Sequence, residues 1–309
     1  MLRRPPPLTP GAPVAVVAPA SPPCSADAYR AGLDCLRATY DVQWAWTPGS
    51  ERGYLAAPDR DRVAALHSAI EDPDIRALIC VRGGYGSLRL LPRIDWSLAR
   101  QHPTLLVGYS DVTALHLALY AKASWPGLSG PVITEWAQAD DATLASFQNW
   151  AEGDTPTFGD GFDTSLTALA HGAASGPLLG GNLTVLTRLL GTPFVPDFEG
   201  AVLVLEEVAE APYRVDRMLT HLQQAGVMDA VAGVVLGSFT TGSLDSHTPT
   251  LSLSEVFQDH LGDRPYPVVS GLSYGHHLPR CSLPLGVPVH LRATPTHAAL
   301  EAEAPLVNL

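Results

Sequence analysis

The chain reads as an α/β protein built on a doubly wound parallel sheet, and two observations carry that expectation. Through the first half, short and wholly apolar runs alternate with stretches of helical periodicity, the pattern of strands buried on both faces and joined by crossover helices. Two of these runs, residues 75–81 and 105–107, lead into glycine-containing turns, Arg82-Gly-Gly and Gly108-Tyr-Ser-Asp, before the next helical pattern starts. Strand, tight turn, helix is how an open α/β sheet presents backbone donors and side chains at its carboxyl edge.

The elements follow in order. Val14-Ala-Val-Val-Ala18 is short and apolar throughout, a buried strand. Residues 26–38 carry Tyr29, Leu33 and Leu36 on one helical face, and Asp41-Val-Gln-Trp-Ala-Trp reads as the second strand. A helix over 59–70 is apolar at Val63, Leu66 and Ile70; the strands 75–81 and 105–107 follow, then a helix over 112–120. Between about 136 and 175 the pattern weakens into Ala, Asp, Thr and Gly, which predicts a linker. The expected division is an N-terminal domain over 1–150, a linker over 151–175 and a C-terminal domain over 176–309. That second domain opens on Gly176-Pro-Leu-Leu-Gly-Gly-Asn-Leu and a short apolar helix. A strand over 201–205 then ends in Glu206-Glu207, followed by a helix over 213–225 and a strand over 230–239. From Pro267 onward short strands alternate with Gly and Pro turns, so this half is richer in sheet.

Composition bounds the function. The 309 residues are 46% hydrophobic and 16% charged, enough to bury a core. A net charge of −12 and no basic patch exclude nucleic acid as the partner. The longest apolar runs fall far short of a membrane span. Met1-Leu-Arg-Arg-Pro-Pro-Pro has proline where a signal core would be apolar, which predicts a cytoplasmic protein. The four cysteines, Cys24, Cys35, Cys80 and Cys281, lack metal or redox spacing, so neither a metal nor a cofactor is expected.

Several residues could carry chemistry. Ser110 sits in a strand-to-helix turn, where it or Asp111 could equally cap the helix. Gly83 and Gly84 lack a Cβ and so let backbone N–H groups approach a reacting atom. Glu206 and Glu207 end a strand, and alternation turns only one of them into a site. His276 and His277 share a loop with Gly275, and Arg82 could hold an anionic group or pair with a carboxylate. Nucleophile, base and orienting acid need closeness in space rather than in sequence. The chain order Ser, Glu, His matches that of α/β-hydrolases, but Val112 replaces the second glycine of G-x-S-x-G.

Six segments in one order decide between these readings. They are Val14-Ala-Val-Val-Ala-Pro-Ala-Ser, Arg82-Gly-Gly-Tyr-Gly-Ser, Gly108-Tyr-Ser-Asp-Val-Thr-Ala-Leu-His, Gly180-Gly-Asn-Leu, Leu205-Glu-Glu-Val-Ala-Glu-Ala-Pro-Tyr-Arg-Val-Asp-Arg, and Gly275-His276 leading to Leu283-Pro-Leu-Gly. Over nearly its whole length the chain resembles the L,D-carboxypeptidase family, the muramoyltetrapeptide carboxypeptidases and the related microcin C self-immunity peptidases. The resemblance implies an N-terminal doubly wound, flavodoxin-like domain and a β-rich α/β C-terminal domain with the active site in the cleft between them. It implies Ser110 as nucleophile, Glu206 as triad acid turned inward with Glu207 outward, and His276 as general base. The oxyanion hole maps to the N–H groups of Gly84 and Asp111. Arg82, Tyr85 and Arg214 are the candidate substrate-binding residues. The implied substrate is a murein tetrapeptide or related small peptide, cut between an L-diamino acid and a terminal D-alanine, and the implied assembly is a homodimer. An immunity-type peptidase cutting aminoacyl-nucleotide amides is the alternative, and a non-catalytic peptide binder the alternative of another class. The chain departs from the family pattern at Ser129, where histidine is common, at Glu207, where aspartate is, and at Arg280, where a small polar residue is frequent.

Overall fold

The computed structural model describes residues 2–158, 161–162, 165–242 and 249–309. The first sheet is built from β1 (Pro13–Val17), β2 (Asp41–Ala45), β3 (Ala77–Cys80), β4 (Leu105–Val107) and β5 (Gly127–Ser129). All five run parallel in the order 2-1-3-4-5, the flavodoxin-like order. The core strands β1, β3 and β4 are continuous apolar runs because helices cover both faces. The order reverses between β1 and β3, so the loops leaving β1, β3 and β4 gather at one carboxyl edge and open a crevice there.

The second sheet takes β6 (Thr167–Ala170), β7 (Gly172–Asn182), β8 (Val202–Glu207), β9 (Gly233–Phe239) and β10 (Val268–Ser270), then β12 (Pro288–Ala293) and β13 (Ala298–Ala302). Its order is β13-β12-β7-β8-β9-β10-β6, parallel from β7 to β10 and antiparallel at both ends. β11 (Leu283–Leu285) instead pairs antiparallel with β5 and completes the first sheet. A strand from the end of the chain is thereby stitched to the sheet formed by its beginning.

The stretch expected as a linker holds regular structure. Asp140 caps a helix over Asp141–Glu152, accepting from Thr143 N, and β6 and the start of β7 follow. Residues 159–160 and 163–164 of that stretch lie outside the described ones. The small and polar residues that read as a loop are edge-strand residues and a helix start, where periodicity is weak.

The helix Thr113–Ala123 packs between the two sheets. Every residue from Thr113 to Leu119 is buried, and a helix apolar on all sides belongs in a core. Its Leu115 and Leu119 share one apolar cluster with Leu179, Leu183 and Leu203 of the second half. A second cluster joins Val107 and Leu128 to Leu178, Val204 and Tyr274. The two sheets are therefore seated against each other by continuous apolar packing, which fixes the crevice walls.

Candidate active site

The turn leaving β4 sets the geometry. Ser110 takes a left-handed backbone, φ 64°, a region that a residue with a Cβ occupies only when its surroundings hold it there. Two anchors hold it. The turn Ser110–Val112 runs directly into the buried helix Thr113–Ala123, and His116 of that helix bonds the Gly108 carbonyl at 2.8 Å through Nε2. A carbonyl only accepts, so Nε2 carries the proton and Nδ1 is a bare lone pair. Nδ1 is buried without a partner among the described residues. Burial pushes the His116 pKa down to about 4, against the opposing bond to Gly108, so this histidine is neutral and structural.

The loop after β3 packs against that turn. A Cβ on Gly83 would sit 2.7 Å from Ser110 Cβ and 3.0 Å from its Oγ, so only glycine fits beneath the hydroxyl. The loop after β1 steadies this strip: Ser21 N donates to Gly83 O at 3.3 Å, and Tyr85 N donates to Ser21 Oγ at 3.1 Å. Asp111 is buried, its carboxylate accepting from Ser87 N at 2.8 Å. Burial raises its pKa, with the Ser87 bonds and the Arg62 guanidinium opposing.

The remaining groups come from the second sheet. His276 Nε2 lies 2.9 Å from Ser110 Oγ, and its Nδ1 lies 2.8 Å from Oε2 of Glu206. Glu206, at the end of β8, is wholly buried. Gly275 lets the loop pass over it: φ is 132°, and a Cβ there would meet Ser238 Oγ at 2.2 Å and Glu206 Oε2 at 3.2 Å. Residues 110, 206 and 276, far apart in sequence, thus form one unbroken line of hydrogen bonds.

Glu207 differs from expectation. It is buried rather than outward, accepting from Thr184 N at 2.7 Å and Val208 N at 3.0 Å. Strand alternation alone would separate it from Glu206, but the β8–β9 register shifts between Leu205 and Glu207, and such an irregularity re-aims side chains. Both carboxylates consequently reach Asn182, whose Nδ2 is 3.1 Å from Glu206 Oε1 and from Glu207 Oε1. Asn182 Oδ1 also caps the helix Leu183–Leu189 through Val185 N. An Asn directly before an apolar helix is the local signal for that cap; no local signal marks its hold on the carboxylates, because nothing nearby in sequence links it to β8.

A cleft of about 310 Å³ opens over Ser110 and His276, walled by Arg82, Gly84, Tyr109 and Glu135 among others. The Arg82 guanidinium donates to Pro22 O at 3.3 Å and to Cys24 Sγ at its rim. Two sequence candidates lie elsewhere. Tyr85 stands outside the cleft lining, its ring edge-on to Tyr54 at 5.5 Å. Arg214 lines a separate pocket with Arg188 and Arg217, held by Glu210 at 3.1 Å. It forms no part of the cleft lining over Ser110. All four cysteines are free, and among the described residues no three His, Cys, Asp or Glu side chains gather as a metal-ligand set. No helix among the described residues is long and apolar enough to cross a membrane.

Comparison with known proteins meets this geometry. The signature of the LD-carboxypeptidase N-terminal domain matches residues 14–130, and that of the LD-carboxypeptidase C-terminal domain matches residues 175–291. The chain belongs to the LD-carboxypeptidase family. It is 34% identical over 302 residues to a probable murein peptide carboxypeptidase of Bacillus subtilis, spanning 97% of this chain and 94% of that protein. A murein tetrapeptide carboxypeptidase of Pseudomonas aeruginosa is 32% identical over 251 residues, 75% of this chain and 78% of that one. Among solved structures, the muramoyltetrapeptide carboxypeptidase of Oxalobacter formigenes superposes with a TM-score of 0.80 at 28% identity, covering 94% of this chain and 98% of that one. The microcin C7 self-immunity protein MccF shares the fold, with a TM-score of 0.87 at 21% identity over 99% of both chains.

Proposed function

We propose that this family member is a serine L,D-carboxypeptidase that hydrolyses the bond between an L-diamino acid and the terminal D-alanine of a murein tetrapeptide. The single observation that supports it most is the Glu206–His276–Ser110 chain at 2.8 and 2.9 Å, open to a cleft on the serine side and closed on the carboxylate side. His276 Nε2 takes the Ser110 proton as Oγ attacks the scissile carbonyl carbon. The resulting oxyanion is held by the N–H groups of Asp111 and Gly84. The C–N bond breaks as His276 passes that proton to the leaving nitrogen, and D-alanine departs. Water, deprotonated by His276, then attacks the acyl carbon, the C–Oγ bond breaks as His276 returns the proton to Ser110, and the tripeptide carboxylate leaves. Glu206 receives Nδ1–H throughout, which fixes the tautomer and stabilises the imidazolium. Arg82, the one cation lining the cleft among the described residues, is the candidate clamp for the D-alanine carboxylate.

The names of the B. subtilis, P. aeruginosa and O. formigenes relatives support the substrate class. Peptidoglycan recycling by a cytoplasmic homodimer is the setting that goes with it. An aminoacyl-nucleotide substrate would call for an aromatic shelf, and Trp125 and Trp136, near the domain boundary in sequence, are 2% and 5% exposed. The test is release of free D-alanine from a murein tetrapeptide with EDTA present, followed by mass spectrometry. Ser110→Ala is expected to lose on the order of 10⁴–10⁶ in kcat while keeping its fold. Turnover by a cleanly purified Ser110→Ala protein refutes the mechanism. Cleavage of an aminoacyl-nucleotide amide in place of the tetrapeptide refutes the substrate.

A further inference from the structure

The nucleophile and its base ride on different sheets, so the 2.9 Å between them depends on how the loop 274–282 is held against the first sheet. Tyr274 OH meets Ser129 Oγ at 2.8 Å on one side of that loop. On the other side, Arg280 N donates to Thr143 Oγ1 at 3.1 Å and Ser282 N to Ser146 Oγ at 3.0 Å. These contacts tie the loop ends. The Arg280 side chain reaches back to Gly275, beside His276.

Arg280 is 2% exposed. Its guanidinium pairs with Glu135 at 2.5 Å, reaches the Gly275 carbonyl at 3.4 Å, and stacks 3.9 Å from the centre of the Tyr109 ring. Tyr109 OH donates to the same Glu135 carboxylate at 2.6 Å, and its ring lies 4.9 Å from that of His276. Gly275 precedes the base, and Tyr109 precedes the nucleophile. One buried side chain therefore touches the neighbours of both reacting groups and is anchored to a third element. An arginine fork is suited to such a position, because it is planar, always charged, and can pair, stack and donate to a carbonyl at once. A buried ion pair is weak grounds for stability in its own right, because desolvation offsets the attraction. Fixing a geometry is the better-supported use.

We propose that Arg280 is a positioning residue that latches the His276 loop to the first sheet and so sets the alignment of His276 with Ser110. The proposal rests on the triad reading above. It does not require Arg280 to touch substrate, and Arg280 does not line the cleft.

The experiment measures kcat and KM for D-alanine release by wild type, Ser110→Ala, Arg280→Met and Arg280→Lys, each at a temperature where thermal unfolding shows it folded. Misalignment by about 1 Å costs roughly 10²-fold in rate, so Arg280→Met is expected to lower kcat roughly 10- to 100-fold. KM is expected to stay within about threefold, since the lost interaction acts on the reacting groups rather than on binding. Arg280→Lys keeps the cation and the pair with Glu135 and is expected to recover part of the rate. A merely structural arginine would lower the melting temperature and leave kcat of the folded protein unchanged, and that result overturns the proposal. If Arg280→Met does not fold, Arg280→Lys decides: reduced kcat at unchanged KM supports the latch, and wild-type kcat overturns it. Failure of the triad reading shows differently, as turnover retained by Ser110→Ala, and removes the latch with it.

Discussion

Gly83→Ala tests the packing of Ser110, the proposed nucleophile, with a single methyl group. Gly83 is not among the residues with positive φ, so alanine meets no backbone penalty there. The added Cβ would lie 2.7 Å from Ser110 Cβ, whereas ordinary contact begins at 3.4 Å. The gap must therefore open by about 0.7 Å, comparable to the ~1 Å misplacement that costs roughly 10²-fold in rate. Ser110 is the part that gives least freely, because the buried helix and the His116–Gly108 bond hold its turn. Whichever side yields, the glycine strip and the hydroxyl separate, and the Oγ to Nε2 contact or the Gly84 N–H is carried out of line. Overpacking of this size costs about 1–3 kcal/mol of stability, which leaves the protein folded. The assay is D-alanine release at saturating tetrapeptide, with urea unfolding alongside. The expected outcome is kcat lower by about 10²-fold with a modest loss of stability. A folded Gly83→Ala protein with wild-type kcat would show that the glycine strip does not bear on the reactivity of Ser110.

Two further outcomes follow from the same contacts. Glu206→Gln preserves shape but not charge, so the imidazolium loses its partner and the tautomer its lock. A fall in kcat of about 10⁴-fold is expected, by analogy with an orienting carboxylate converted to its amide, and a loss of less than tenfold would remove Glu206 from the proposed triad. His116 makes stability depend on pH. Its folded pKa is about 4 against an ordinary 6.5, so below 6.5 the unfolded chain takes up a proton that the folded one refuses. Its contribution is whole above about pH 6.5 and is lost as pH falls towards 4, a change on the order of 3 kcal/mol. Urea unfolding of wild type and His116→Gln between pH 7 and 4.5 isolates this from the carboxylates, since they titrate in both proteins. Parallel curves would refute the buried neutral histidine.

Much of the first sheet was legible because its signals are local. β1, β3 and β4 are apolar runs that no other element type explains, and the turns after β3 and β4 carry the glycines that a close backbone approach requires. The helix Asp141–Glu152 and β6 were hidden, because a half-exposed helix and an edge strand carry little periodicity. Alternation predicts Glu207 outward because it is a rule for regular strands, and β8 breaks register next to it. Tyr109, Glu135 and Asn182 drew no attention as site residues: each is an ordinary member of a turn or short helix until its partners arrive from another element. Arg214 and Tyr85 stand beside site motifs in sequence, yet the structure gives them other surroundings.

The division follows from range. Residue order settles which segments are strands, where turns must be glycine, and that a Ser and a Glu stand at carboxyl ends of strands and a His in a loop beside a glycine, since backbone sterics and hydrophobic periodicity act over a few residues. It does not settle distances between groups 70 and 166 positions apart, which span the two hydrogen bonds joining Glu206, His276 and Ser110. Those are set by the seating of two sheets, by the packing of the helix Thr113–Ala123 between them, and by the return of β11 to the first sheet. Burial, too, is a property of the assembled protein: only the surrounding chain makes Glu206 a dry carboxylate, His116 a neutral histidine and Arg280 a buried cation with three partners.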